Sequence, residues 1–261
     1  MIQDAARAIR RLILEESYRA HVGHIGSALS VADIVAALYE GPLADERPDD
    51  PDRHRLMLSK GHAALALYAA LQLRGVLSRE QLATYCAEGS LLGVHPERAL
   101  PGIDFSSGSL GFGLSVAAGS ALAARLDGSA RRVFALLSDA ECNEGSTWEA
   151  VAFAAHQRLS NLTAIVDVNG QQALGRTSDV LDMSPLGQRW TGFGWEVEEV
   201  DGHDVEALVT ALRPAGKLPR AVLARTVAGK GVSCMEGQVA WHYWPMTADQ
   251  YSQALAEIAA V

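Results

Sequence analysis

From Arg131 onward the chain alternates short apolar runs with helical segments, and this alternation constrains the fold more than any other feature. Val133-Phe-Ala-Leu-Leu137, Leu162-Thr-Ala-Ile-Val166, Trp195–Val200 and Ala221–Ala224 read as strands. Gly145–Arg158 and Val205–Arg213 read as helices between them. Apolar strands separated by helices imply an α/β fold: a mostly parallel sheet with helices on both faces. Ligands of such sheets lie beyond the carboxyl ends of the strands. Polar clusters fall at those ends: Ser138-Asp139-Ala140-Glu141 after one strand, Asp167-Val168-Asn169-Gly170 after the next.

The N-terminal part is helical. Ala6, Ile9, Leu12 and Ile13 are spaced for a helix over residues 3–20, followed by a glycine-containing break, His21-Val-Gly-His-Ile-Gly26. Ser30 reads as the N-cap of a helix through Tyr39. Residues 41–53 are rich in Pro and Asp and read as loop, and helix resumes near Gly61 and runs to Leu73. Residues 86–109 lack periodicity, and an irregular loop of that length within a domain is usually functional. A final helix is predicted over 247–259. The whole chain reads as one domain, 1–261, with an N-terminal helical segment and a C-terminal helix.

Phe105–Ala124 carries no charge and is long enough to span a bilayer, yet it is crowded with Gly and Ser. A lipid-facing helix is more apolar. The run is expected to be a loop followed by a small-residue helix packed against a neighbour in this chain or a partner. Thirty-one Asp and Glu against 22 Lys and Arg give a formal charge of −9, with no basic block, which argues against nucleic acid. Charges at Asp4, Arg7, Arg10 and Arg11 break any leader-like apolar stretch. Cys86, Cys142 and Cys234 form neither a disulfide framework nor a zinc spacing, so a reducing cytoplasm is expected.

No phosphate-binding glycine loop of either common type occurs. Asp139 and Asn169 both follow apolar strands and face one crevice if those strands are neighbours. Two protein oxygens are few for a calcium cage and suit Mg²⁺, which completes its octahedron with water and phosphate oxygens. A backbone carbonyl near Gln171 is a third candidate. The plainer alternative makes Asp139 an N-cap and Asn169-Gly170 a turn. Histidines at 24, 62, 95, 203 and 242 are the other chemistry-bearing residues. His24 lies between glycines, His62 at a helix start, His95 before a proline, His242 in the aromatic run Trp241–Trp244. His203, in Asp-Gly-His-Asp204, reads as a turn before a helix and is set aside. His21 and His24 lack the Cys or carboxylate that would complete a zinc site. Each lone histidine also has a purely structural reading.

Gly-His24-x-Gly, Ser-Lys-Gly-His62, His95-Pro, Ser107-Gly-Ser-Leu-Gly111, Ser138-Asp-Ala-Glu-Cys-Asn-Glu-Gly145 and Asp167-Val-Asn-Gly170 occur in the order and spacing of the transketolase family. The resemblance runs from His21 to His242 and matches the N-terminal half of the family, which binds the diphosphate end of thiamine diphosphate. It implies the thiamine diphosphate-binding fold. It implies that Asp139, Asn169 and the Gln171 carbonyl hold Mg²⁺ or another divalent cation such as Ca²⁺ or Mn²⁺. His62 and His242 resemble contacts to the cofactor diphosphate, and His24 and His95 contacts to the substrate and its two-carbon unit; all four are the catalytic candidates. Gly108, Leu110, Ala140 and Glu141 resemble cofactor-binding positions, Leu110 beneath the thiazolium ring. Glu144 resembles the acid that joins the two halves of the paired cofactor sites.

Two segments depart from the family pattern. Ser138-Asp139-Ala140 stands for Gly-Asp-Gly, and Ala140 can bring its N–H to a phosphate only with negative φ. Phe112 replaces the usual Gln, altering the packing around the cofactor. The glutamate that engages the aminopyrimidine lies in the family's pyrimidine-binding domain, and no second α/β pattern follows here. The resemblance thus implies the first subunit of a split transketolase in an α2β2 assembly. A C-terminal transketolase-like subunit would complete it, with sugars as substrates and neither nucleic acid nor membrane as partner. The aromatic run at 241–244 reads equally as core or as interface. The alternatives are a thiamine enzyme taking 2-oxo acids and a catalytically silent regulatory subunit.

Overall fold

The computed structural model describes residues 2–214 and 216–260. Its strands are β1 (Arg55–Leu58), β2 (Val133–Ser138), β3 (Leu162–Val168), β4 (Gln171–Gln172), β5 (Gly175–Arg176), β6 (Glu196–Asp201) and β7 (Arg220–Arg225). Five of them form one sheet, in the order β1-β2-β3-β7-β6, with every pairing parallel. β4 and β5 form a small antiparallel hairpin just beyond β3.

The helices are α1 (Ile2–Ala20), α2 (Ile25–Ser30), α3 (Ala32–Glu40), α4 (Ala64–Leu73), α5 (Arg79–Leu82), α6 (Gly113–Leu126), α7 (Gly145–His156), α8 (Thr177–Leu181), α9 (Leu186–Gly192), α10 (Val205–Ala211) and α11 (Ala248–Ala260). Successive strand side chains point to opposite faces. Phe134, Leu136, Ile165 and Val222 therefore pack beneath α1, α3, α4 and α10. Val133, Ala135, Leu137, Ala164 and Leu223 pack on the other side against α6, α7 and Trp190 of α9. All six residues of β2 are buried, as a strand covered on both faces requires. Truncating Phe134 to Ala should cost about 3–5 kcal/mol.

The expected alternation is present, and the run at 105–124 divides as anticipated. Its first part is irregular, and α6 then packs on β2 and α7 through Ala117, Ala118 and Ala121. None of the helices among the described residues is long and apolar enough to cross a membrane. Two elements differ from expectation. The sequence pattern does not announce β1, although it forms the sheet edge and delivers Ser59, Lys60 and His62. Ser30 is not an N-cap: it closes α2, α3 starts at Ala32, and no side-chain cap bond is made there. The Ser30 hydroxyl instead donates into the sheet end, to Asp167, at 2.8 Å.

Candidate functional site

Four adjacent strands, β1, β2, β3 and β7, end on one side of the sheet, and each carries a polar segment just past its end. In register, Ser138 of β2 lies beside Asp167 of β3. The Asp139 N–H then donates to the Asp167 carbonyl at 3.1 Å. This carries the Asp139 carboxylate to the loop after β3. Its Oδ2 accepts from the Gly170 N–H at 2.9 Å and its Oδ1 from the Ala140 N–H at 2.9 Å. Asp139 caps the 3₁₀ turn Ala140–Asn143, and it stands beside the Asn169-Gly170 turn.

Asp167 is the hub beneath. Its carboxylate is sealed from solvent and accepts from Ser30, from the Thr226 hydroxyl, from Asn169 Nδ2 at 3.0 Å and from the buried Lys60 ammonium. The Asn169 amide is thereby oriented with nitrogen inward. Its Oδ1 accepts from the Gln171 N–H at 2.9 Å, on the side where β4 begins. Sequence reasoning did not place Lys60, Ser30 or Thr226 on Asp167, because each acts through a partner far along the chain.

The Asp139 carboxyl is pushed up to about 6, first by burial and then by the Asp167 charge beside it. A carboxylate held against that cost, next to an amide oxygen, is a hard-oxygen donor set short of positive charge, which fits a divalent cation with water and phosphate completing its shell. Among the described residues, no three His, Cys, Asp or Glu side chains converge as a zinc site would require.

Three imidazoles meet near Lys60, whose charge also acts on Asp139. The His24 and His242 rings are 5.0 Å apart, His62 and His242 5.2 Å, and His24 and His62 5.6 Å, between centroids. His24 adopts left-handed φ of 62°, and its N–H donates to the His242 carbonyl. His62 is held well below the usual imidazole range, foremost by burial and then by the Lys60 charge. His242 is pushed down to about 4 by burial and then by His24 and Lys60. His24 is lowered by burial and by His95. His95 stands exposed at the rim, its backbone tied down by the Tyr68 hydroxyl at 3.0 Å. His24 Nδ1 and Ser107 Oγ are buried without a hydrogen-bond partner. Such orphans at one crevice are what an anionic cofactor would satisfy.

The segment carrying Gly108 and Leu110 closes one side. Gly111 has φ of 86°, and a Cβ there would lie 2.6 Å from Ser146 Oγ. A Cβ on Gly113 would collide with the Ser59 side chain, so the loop approaches β1 as only glycine permits. Glu141, expected at the cofactor, is turned inward and fully buried. It accepts from Ser59, from Gly111 N–H at 2.9 Å and from Ser138 N–H at 3.3 Å. In this structure its carboxylate braces the loop rather than facing the crevice. Ala140 lies in a 3₁₀ turn outside the positive-φ region, the condition set for its N–H to serve a phosphate. Glu144 is exposed on the same side as Phe112. The aromatic run is split: Trp241 is core, whereas Tyr243 and Trp244 are 54% and 67% exposed. The Tyr243 hydroxyl donates to Ala173 in the hairpin, clasping the His242 segment to the Gln171 segment.

Comparison with known proteins gives this geometry a family. Residues 1–258 match the profile described as transketolase, thiamine diphosphate binding domain. The chain is 40% identical to the 6-deoxy-6-sulfo-D-fructose transketolase subunit SqwG of Clostridium sp., over 98% of this chain and 96% of that protein. It is 39% identical to an apulose-4-phosphate transketolase subunit of Phocaeicola vulgatus, over 95% and 90% respectively. The Campylobacter jejuni transketolase structure superposes with a TM-score of 0.91 at 28% identity, covering 99% of this chain and 43% of that one. The chain therefore belongs to the transketolase family and carries its thiamine diphosphate-binding domain.

Proposed function

We propose that this chain is the diphosphate-binding component of a two-chain transketolase, moving a two-carbon ketol unit from a ketose phosphate donor to an aldose acceptor. The observation that carries the reading is that Asp139 and Asn169 stand at neighbouring strand ends while the His24–His62–His242 rings gather around the same Lys60 charge that acts on Asp139. Asp139, Asn169 and the Gln171 carbonyl would hold Mg²⁺ or a similar divalent cation between the chain and the diphosphate. His62 and His242, neutral at physiological pH, would donate hydrogen bonds to phosphate oxygens. His24 and His95, nearer the mouth, would orient the sugar hydroxyls and hold or pass a proton there. Gly108 and Leu110 would support the ring end of the cofactor, and the Ala140 N–H, held here by Asp139 Oδ1, would turn to a phosphate oxygen once a cation engages that carboxylate. Glu144 would face the second half of the site. Thiamine diphosphate, when bound, supplies the carbon centre that accepts the ketol unit.

Support for a partner comes from the relatives. Those named as subunits are covered over 96% and 90% of their length, whereas the human transketolase is covered over 42% of its own. The partner would be a C-terminal transketolase-like chain bearing the pyrimidine-binding domain and its glutamate, in an α2β2 assembly in the cytoplasm. The chain itself would be one domain, 1–261. Purified alone, it is expected to show no ketol transfer; activity should appear on mixing with the product of a neighbouring pyrimidine-domain reading frame. Full turnover by the single chain would refute the two-chain reading.

A further inference from the structure

His203, which the sequence offers only as part of a turn, makes two directed bonds in the fold. Its Nδ1 lies 2.7 Å from Oδ2 of Asp33, and its Nε2 lies 2.9 Å from the Val227 backbone nitrogen. A backbone N–H can only donate, so Nε2 must present a lone pair, and the ring proton sits on Nδ1, donated to Asp33. Asp33, buried in the first turn of α3, also receives both terminal nitrogens of Arg10 from α1. The Arg10 Nε donates in turn to the Lys230 carbonyl at 3.2 Å.

One carboxylate thus grips the chain after β7 at two backbone points, Val227 N–H through His203 and Lys230 C=O through Arg10. Between them the Gly229 N–H donates to the Gly26 carbonyl at 2.9 Å, just beyond His24. This gripped segment leads directly from Thr226, which bonds Asp167, toward Trp241 and His242. None of the three gripping side chains belongs to the ring cluster.

We propose that His203 is a positioning residue for the cofactor site: as the Nδ1–H tautomer set by Asp33, it fixes the start of the 226–242 strap. Thr226 is thereby aligned on Asp167, and His242 on His24 and His62. The assignment rests on the thiamine diphosphate reading above. Loss of the His203–Val227 bond frees the strap near its root, and the error is carried along to the His242 ring. Residues that hold a binding group in place typically govern affinity through its orientation.

The test is calorimetric titration of thiamine diphosphate with Mg²⁺ into the assembled complex, wild type against His203→Ala and His203→Gln. A glutamine can accept from Val227 through its oxygen and donate to Asp33 through its nitrogen. Affinity should fall about tenfold in His203→Ala and return to within about threefold of wild type in His203→Gln. Wild-type affinity in His203→Ala, or a folded His203→Gln no better than His203→Ala, overturns the assignment. Should His203→Ala not fold, imidazole ¹⁵N spectra of the wild-type chain decide: the His203 ring, identified by its absence in His203→Gln, must show Nδ1–H. An Nε2–H or doubly protonated ring overturns the proposal. Failure of the wild-type complex to bind thiamine diphosphate overturns the transketolase reading and this assignment with it.

Discussion

Lys60 and Asp167 form an ion pair from which solvent is excluded on both sides, with side-chain exposures of 1% and 0%. Each charge is tolerable only because the other is present. Lys60→Met would leave the buried Asp167 carboxyl group with only neutral donors. It should cost about 3–5 kcal/mol in urea-induced unfolding, and thiamine diphosphate binding should fall with it. A loss below about 1 kcal/mol would show that the pair does not carry the sheet end.

Asp139→Asn removes the charge that a cation would engage and keeps the shape. One of the Ala140 and Gly170 N–H bonds is lost, while an ionised carboxylate that burial disfavours is relieved. These effects oppose each other. The variant without ligand should therefore melt within about 4 °C of the wild type. Cation-dependent binding of thiamine diphosphate should be abolished in calorimetry. Unaltered binding would remove Asp139 from the metal set.

Gly111→Ala places a side chain at φ of 86° against Ser146 and Glu144. The expected destabilisation is about 1–3 kcal/mol. Because Glu141 holds this loop to β1, the displacement should reach Leu110, and cofactor affinity should fall further than stability does. Thermal melts compared with binding isotherms give both quantities.

The histidine cluster sets an acid dependence of stability. His242 has a folded value of about 4 against 6.5, so the unfolded chain binds more protons between those values. Its contribution is complete above pH 6.5 and is lost as the pH falls toward 4. The size is up to about 3 kcal/mol, reduced by the solvent reaching this half-buried ring. His62 and His24 act in the same direction. Asp139 has the opposite sign: its folded value is about 6 against 3.8, so stability declines as the pH rises through that window. His242→Asn should flatten the melting profile between pH 4 and 6.5, and Asp139→Asn should steepen it. Parallel profiles in all three proteins would contradict both assignments.

How far the site could be read from sequence depended on how far its partners lie apart. Asp139 and Asn169 were legible because each follows an apolar run whose period and length mark a strand, and strand ends gather ligands. The ordered histidine motifs were legible through their resemblance to one family. β1 escaped because Arg55-Leu-Met-Leu58 is short, has no β-branched residue and lacks a strong alternation. Ser30 has the local chemistry of a cap and was drawn away by Asp167, which no local rule can see. Glu141 followed the same pattern in reverse: its neighbours in sequence point to the cofactor, while its neighbours in space, Ser59 and Gly111, turn it inward.

The clasp of the His242 segment on the first helices also bears on the order in which the molecule is assembled. The oxygen donors come from strands that follow one another in sequence and pair in register, whereas the imidazole cluster joins residues far apart in the chain. Contacts so distant in sequence close late, after their loop entropy has been met. A nascent chain halted before residue 242 would present the Asp139 pocket without its third ring. Cofactor capture would then wait for that long loop to close.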